Sequence, residues 1–332
     1  MQPPAPPLSI SVALCTYQGA RYLREQLDSL LTQQRRPSEI VAFDDASTDG
    51  TWQLLETFAQ QAREAGVAVS FHRNASNLGY VRNFSQALLA AQGDLVFLCD
   101  QDDVWHSDKV QLVAEQFERR PELLMLHSDA DLVDQNGCSL QRTLFGAFEV
   151  SRDEIAALHR GDAFEVLIKR NVATGATMAI RRSVIARGFQ VPDGWIHDEW
   201  LAMLASTQGR VDCLEAATID YRQHGNNQVG ARYRGFIERL TGGGISRADF
   251  MARMLRRTQS LQDQVLAGNI HLSPPAMHTL LQRHRHAQMR AHLPDRLLAR
   301  SAAVLAEYAS GRYKRFSNGA YSALSDLSRL RG

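Results

Sequence analysis

Residues 94–105 read DLVFLCDQDDVW. The apolar run 95–98 has the length and composition of a buried strand, and it stops abruptly at Asp100, Asp102 and Asp103. Three carboxylates crowded at a strand's end repel one another unless a cation or hydrogen-bond donors sit among them. On an extended segment alternate residues share a side, so Asp100 and Asp102 point together. Hard oxygen ligands with room for water suit Mg²⁺ or Mn²⁺ carrying a substrate phosphate. The bland alternative is a solvated acidic turn, against which the apolar strand immediately upstream counts.

Working outward towards the N-terminus, the same strand-then-loop pattern recurs. Residues 9–14 (SISVAL) form a strand candidate that leads into a polar corner at 15–19 (CTYQG). Tyr22, Leu23, Leu27, Leu30 and Leu31 then recur at helical spacing up to Gln33. A second strand at 39–43 enters the turn-rich DDASTDG of 44–50, which also suits capping of the helix carried by Trp52, Leu55, Phe58, Ala59 and Ala62. Residues 67–71 form a third strand, and a helix follows the loop through Asn77 and Gly79, near 83–91. Strands alternating with helices of this length argue for a parallel sheet with helices on both faces. Ligands of such sheets bind beyond the carboxyl ends of the strands, which places Tyr17, Asp44, Asp45 and Asp100–Asp103 along one rim. The first strand–helix turn lacks GxGxxG and no GxxxxGK[ST] occurs, so a dinucleotide oxidoreductase and a P-loop enzyme are both disfavoured.

Towards the C-terminus, Ser107 is placed to cap a helix running to Phe117, and 122–127 returns as a strand. Residues 134–170 give no clear pattern. Residues 171–182 (NVATGATMAIRR) read as a loop entering a strand, with Gly175 allowing close backbone approach. The segment 195–200 (WIHDEW) opens a helix, and 218–221 is strand-like and delivers RQHGNN. Past GGG at 242–244 the character changes to amphipathic helices broken near Pro274-Pro275 and Pro294. The expected organisation is a disordered leader (1–8), an α/β domain (9–231) and a basic helical C-terminal region (232–332).

The charge is unevenly spread. Net charge is +1, yet from Arg232 onward there are 17 Lys and Arg against 6 Asp and Glu, leaving 20 against 30 before it. Such asymmetry points to an anionic partner for the C-terminal region or to a merely solvated set of helices. Nucleic acid is disfavoured because no aromatic residues interleave with the basic ones and no known motif is present. The four scattered cysteines read as reduced thiols, the start lacks the regions of a signal peptide, and no apolar run reaches the ~20 residues of a membrane helix. A cytoplasmic protein, peripheral on the inner membrane at most, is the expectation.

Taken together, SVALCTYQGARYLREQLDSLL, FDDASTDGT, NLGYVRNF, CDQDDVW, TGATMAIRR, IHDEW and YRQHGNN, in this order over roughly residues 9–230, resemble the family 2 glycosyltransferases of GT-A fold, and DQDDVW with HDEW resembles the branch that adds rhamnose and related sugars to bacterial polysaccharides. The resemblance implies a mixed, mostly parallel Rossmann-like sheet and an inverting transfer from a nucleoside-diphosphate sugar to a hydroxyl of a lipid-linked saccharide. It implies Tyr17 against the nucleotide base, Asp45 with Asp44 accepting the base N3–H, and Asn77 among the donor contacts. Asp100 and Asp102 fall on the family's DxD positions, with Mg²⁺ or Mn²⁺ as the cofactor and Asp103 orienting its neighbours. Asp198 matches the catalytic base, with His197 standing where the family usually has Glu and with Glu199 as the rival carboxylate. His224 would complete the metal shell or donate to the diphosphate. Helix capping for Asp45, dipole complementation for Asp198 and an ordinary structural place for His224 stay open. A non-catalytic nucleotide-sugar-binding protein and a sugar nucleotidyltransferase are the alternative functions.

Overall fold

In the computed structural model residues 7–185, 189–225 and 246–328 are described. The expected leader falls largely outside them, as do Asn226, Asn227 and the glycines at 242–244. Leu8, counted with the leader, is held by the Arg35 guanidinium on its carbonyl and packs on the core. The chain divides into two compact units: residues 1–163, 172–191 and 196–231 form the first, and residues 164–171, 192–195 and 232–332 the second.

The first unit is built on a nine-stranded mixed sheet. Its strands are β1 (Ile10–Thr16), β2 (Glu39–Asp44), β3 (Ala68–Arg73), β4 (Leu95–Cys99), β5 (Val104–Trp105), β6 (Leu123–Val133), β7 (Ser139–Thr143), β8 (Met178–Arg181) and β9 (Arg210–Arg222). They run in the order β3-β2-β1-β4-β8-β6-β9-β5, with β7 paired to β6. Pairings among β1 to β4, and of β6 with β9, are parallel, while β8 runs antiparallel to β4 and β6. Strands β1 and β4 are buried along their whole length, as strands covered on both faces must be. Ile10, Val12, Leu14, Leu95 and Phe97 form one core with the helices α1 (Leu23–Leu31), α2 (Thr51–Glu64) and α4 (Lys109–Arg119). The helix α3 (Tyr80–Ala90) contacts β1 and β2.

Register sets the site. Asp44 lies opposite Thr16 and Cys99 opposite Leu14, so the residues that follow β1, β2 and β4 leave at one rim. Because β8 runs the other way, its beginning lies at that rim, preceded by a single 3-10 turn, Gly175–Thr177. Val133 lies opposite Arg222, so the end of β9 arrives there too. The two-residue strand β5 pairs antiparallel with Ile219 and Asp220, which ties the chain after DQDD to β9.

Several boundaries differ from the sequence reading. Helix α3 begins at Tyr80, because Gly79 adopts φ 82° and turns the chain three residues sooner. Ser107 does not cap α4. Asp108 stands at that position without a side-chain bond, and the amide of Gln33 accepts from Val110 N–H instead. The patternless stretch contains β7, α5 (Leu144–Ala147), α6 (Arg152–Arg160) and α7 (Ala163–Leu167). Helix α6 opens with a capping box between Ser151 and Glu154 and ends at Gly161 in the left-handed region.

The last helix of the first unit is α8 (His197–Gln208). In the second unit α9 (Arg247–Leu266), α10 (Pro274–Ala291), α11 (Leu297–Ala309), α12 (Arg312–Phe316) and α13 (Ala320–Ser328) surround a polar core. There His286 bridges the Glu307 carboxylate and Ser317, and Asp326 receives Arg247, Arg290 and the Tyr313 hydroxyl. No helix among the described residues is long and apolar enough to cross a membrane.

Candidate active site

The rim gathers acids faster than it neutralises them. Asp103 is buried, its Oδ1 accepts Arg222 N–H at 3.0 Å, and its Oδ2 is buried with no partner among the described residues. Burial, then the charges of Asp102 and Asp100, push the Asp103 carboxyl well above the ordinary range. Burial likewise lifts Asp100 to about 7, helped by Asp102 and Asp198 and opposed by Lys109. Lys109 is itself fully buried, with its amine 2.7 Å from the Ala176 carbonyl and 3.9 Å from the Trp105 ring centroid. Its pKa falls to about 7 by desolvation. Lys109 is the buried cation acting on both Asp100 and Asp103, and the acids outnumber it. Among the described residues Asp100, Asp102, Asp103 and His224 do not form a group of three with ligand atoms within 4.8 Å of one another; His224 and Asp102 are the pair brought together, and hard carboxylate oxygens of this kind are the ones that suit a divalent cation.

The end of β9 closes the opposite side. His224 Nε2 lies 2.8 Å from Asp102 Oδ2, and its ring stacks on Tyr22 with centroids 5.0 Å apart. Arg222 donates from Nε to the Asp102 carbonyl at 2.8 Å, pairs with Glu25 and lies over the same Tyr22 ring. In this arrangement His224 is the partner of Asp102, a position from which an imidazole can reach a cation or a phosphate.

Asp198 stands in the first turn of α8, buried, with Oδ2 accepting Gly175 N–H at 3.0 Å and Oδ1 accepting Glu199 N–H at 2.7 Å. Gly175 opens the turn that leads into β8, which pairs with β4, so this bond holds Asp198 at the rim where the acids follow β4. His197, beside Asp198, stacks on Phe84 with centroids 4.1 Å apart, and burial lowers its pKa to about 3. This ring is a neutral wall.

The nucleotide-side candidates fare differently. Tyr17 is 42% exposed, and its main chain is clamped from both sides by Gln101, whose Oε1 accepts Tyr17 N–H and whose amide donates to Tyr17 O. Asp45 is buried and accepts from Asn74, Leu78 N–H and Gly79 N–H, holding the loop before α3. Neither Asp45 nor Asp44 caps the helix at 51–64 by a side-chain bond. Asp44 is fully buried and bound by Thr16, Ser47 N–H and Ser47 Oγ, which makes it a turn-former. Asn77 is exposed and accepts Gly79 N–H.

Residues 11–189 match the family model described as glycosyl transferase family 2. The chain belongs to that family.

As a family 2 glycosyltransferase it has relatives at modest identity. It is 28% identical over 229 residues to an uncharacterized glycosyltransferase of Nostoc, a match covering 68% of each chain. It is 25% identical over 238 residues to the dTDP-rhamnosyl transferase RfbG of Shigella flexneri, covering 66% of this chain and 74% of that one. The structure of S. aureus TarS 1-349 in complex with UDP-GlcNAc superposes with a TM-score of 0.61 at 19% identity, covering 97% of this chain and 89% of that chain. The fold is GT-A.

Three further residues of this glycosyltransferase hold the segments of the candidate site in place and escaped the sequence reading. Gln101, inside the acidic motif, joins the first turn to it. Arg222 fixes the β9 end, and Lys109 is the buried counter-charge. A charged residue in the apolar stripe of a helix was the available signal for Lys109. Nothing local marks the other two.

Proposed function

We propose that this glycosyltransferase moves a sugar, a deoxyhexose such as rhamnose, from a nucleoside-diphosphate donor to a hydroxyl of a lipid-linked saccharide, with inversion at the anomeric carbon. The observation that supports the reading is that Asp100, Asp102 and buried Asp103 follow β4 at the rim where Asp198 is hydrogen-bonded to Gly175, at the start of the turn that leads into β8, the strand paired with β4. Asp100 and Asp102 would hold Mg²⁺ or Mn²⁺, with His224 beside Asp102. Bound there, the ion supplies counter-charge for the leaving diphosphate. Asp198, oriented by two backbone N–H groups, takes the proton of the attacking hydroxyl. Tyr17 offers an exposed ring for the base to stack on, and Asp45, which holds the loop before α3, is the proposed acceptor of the base N3–H. The rhamnose assignment is supported by the likeness to RfbG and by the HDEW and DQDDVW segments. The basic C-terminal region suits an acceptor held at an anionic membrane surface.

The test is a thermal-shift series with UDP-, dTDP- and GDP-sugars, each with and without Mn²⁺. A ligand at 100 times its Kd stabilises by about 2.7 kcal/mol, so the true donor raises Tm clearly, and only with the ion present. Asp102→Ala abolishes that metal dependence. Asp198→Ala retains donor binding and loses transfer by a factor of about 10² to 10⁴. Release of pyrophosphate instead of a nucleoside diphosphate would identify a nucleotidyltransferase, and binding without turnover a non-catalytic protein.

A further inference from the structure

Two helices of the second unit are inverted relative to an ordinary surface helix. In α11 the only ionisable groups besides Tyr308 are Arg300 and Glu307, and both are buried. The outward side carries Leu298, 87% exposed, Leu305, 63% exposed, half-exposed Tyr308, and exposed alanines between them. In α13 the sole carboxylate, Asp326, is buried under two arginines, and Leu324 is 64% exposed with Tyr321 nearby in sequence. The two helices contact each other, so their uncharged faces belong to one part of the unit. Isolated exposed leucines need no explanation. Helices whose charges all point inward while their leucines point out do, because this arrangement is the reverse of what water selects.

We propose that the outward faces of α11 and α13 seat on an anionic lipid surface. The remaining exposed charge decides the occupant. Arg296 and Lys314 flank α11 and are exposed, and Asp295 is the one exposed acid between residues 292 and 328. The sequence continues after Ser328 with two more arginines. An uncharged apolar face bordered by cations is the composition of a helix lying in the headgroup layer, where leucines enter the acyl boundary and Lys/Arg meet phosphate. The docking follows from this surface alone, and only its use, bringing the enzyme to a lipid-linked acceptor, rests on the proposed function.

The experiment is co-sedimentation of the full chain with phosphatidylcholine vesicles, with and without phosphatidylglycerol. Parallel sedimentation velocity is run without lipid. The chain binds the anionic vesicles. Leu298→Gln/Leu305→Gln, at exposed positions that leave the fold intact by circular dichroism, weakens binding about tenfold or more. Arg296→Gln/Lys314→Gln weakens it and reduces its salt sensitivity. Absence of binding to anionic vesicles, or unchanged binding by the leucine variant, overturns the proposal. So does a lipid-free dimer that the leucine variant dissociates, since a second copy would then cover the face. Each readout is independent of glycosyl transfer, so its failure leaves the catalytic reading standing, and the reverse also holds.

Discussion

A methyl group at Gly175 would stand 3.3 Å from His197 Nε2 and 3.4 Å from Asp198 Cβ. His197 cannot retreat, because its ring is packed flat against Phe84. Gly175→Ala therefore crowds the His197 ring, and the first turn of α8, which carries the proposed base Asp198, has to give by a few tenths of an ångström. The expected outcome is a kcat lowered about tenfold, with the KM for donor nearly unchanged, read by steady-state kinetics. Asp100 gives a pH signature. Its carboxyl titrates near 3.8 when unfolded and near 7 in the fold. Between those values the unfolded chain has released a proton that the folded chain keeps. Metal-free stability accordingly falls as pH rises from about 4 to about 7. A bound dication displaces that proton, so Mn²⁺ stabilises more strongly as pH climbs through the same window. Melting curves in EDTA and in Mn²⁺ across this range check both slopes, and Asp100→Asn makes them shallower, while Asp103, also raised, keeps part of the dependence.

Among the elements, the polar core of the second unit makes its own prediction. Burial alone would raise Glu307, but the bonds from His286 and Arg312 prevail and hold it at about 2, below its usual 4.5. Its stabilising effect is complete above pH 4.5 and disappears as pH falls towards 2. Glu307→Gln should lower Tm at pH 7 and reduce the steepness of acid unfolding in that interval. Circular dichroism at the helical signal reads both. Element legibility followed from composition. The continuous apolar runs of β1, β2 and β4 were readable because both faces are covered. Strands β6 and β9 extend well beyond their recognised parts because Ser128, Asp129 and Asp212 interrupt the apolar pattern while still pairing in the ladder. Strand β5, two residues long, carries no periodicity at all. The Ser151–Glu154 capping box was legible and was overlooked. At the site, the acids themselves were visible as a motif, whereas Gln101 and Arg222 act through contacts between segments 84 to 197 residues apart, which spacing cannot reveal.

For the whole molecule, the basic excess after Arg232 overstates the charge available to a partner. Arg247 and Arg290 are committed to Asp326, Arg312 to Glu307, and buried Arg283 donates to the Ile168 carbonyl. With these cations committed and no aromatic residues interleaved with the rest, binding to duplex DNA should be weak at about 0.15 M salt, as fluorescence anisotropy with a labelled duplex would show. The order of the chain adds a temporal consequence. Strand β9 pairs with β6 across some ninety intervening positions and brings in the arginine and imidazole that meet the acidic loop. A nascent polypeptide emerging from the ribosome exposes that loop long before its companions are synthesised. On the proposed assignment of the site, competence for transfer therefore waits until β9 has emerged and paired with β6.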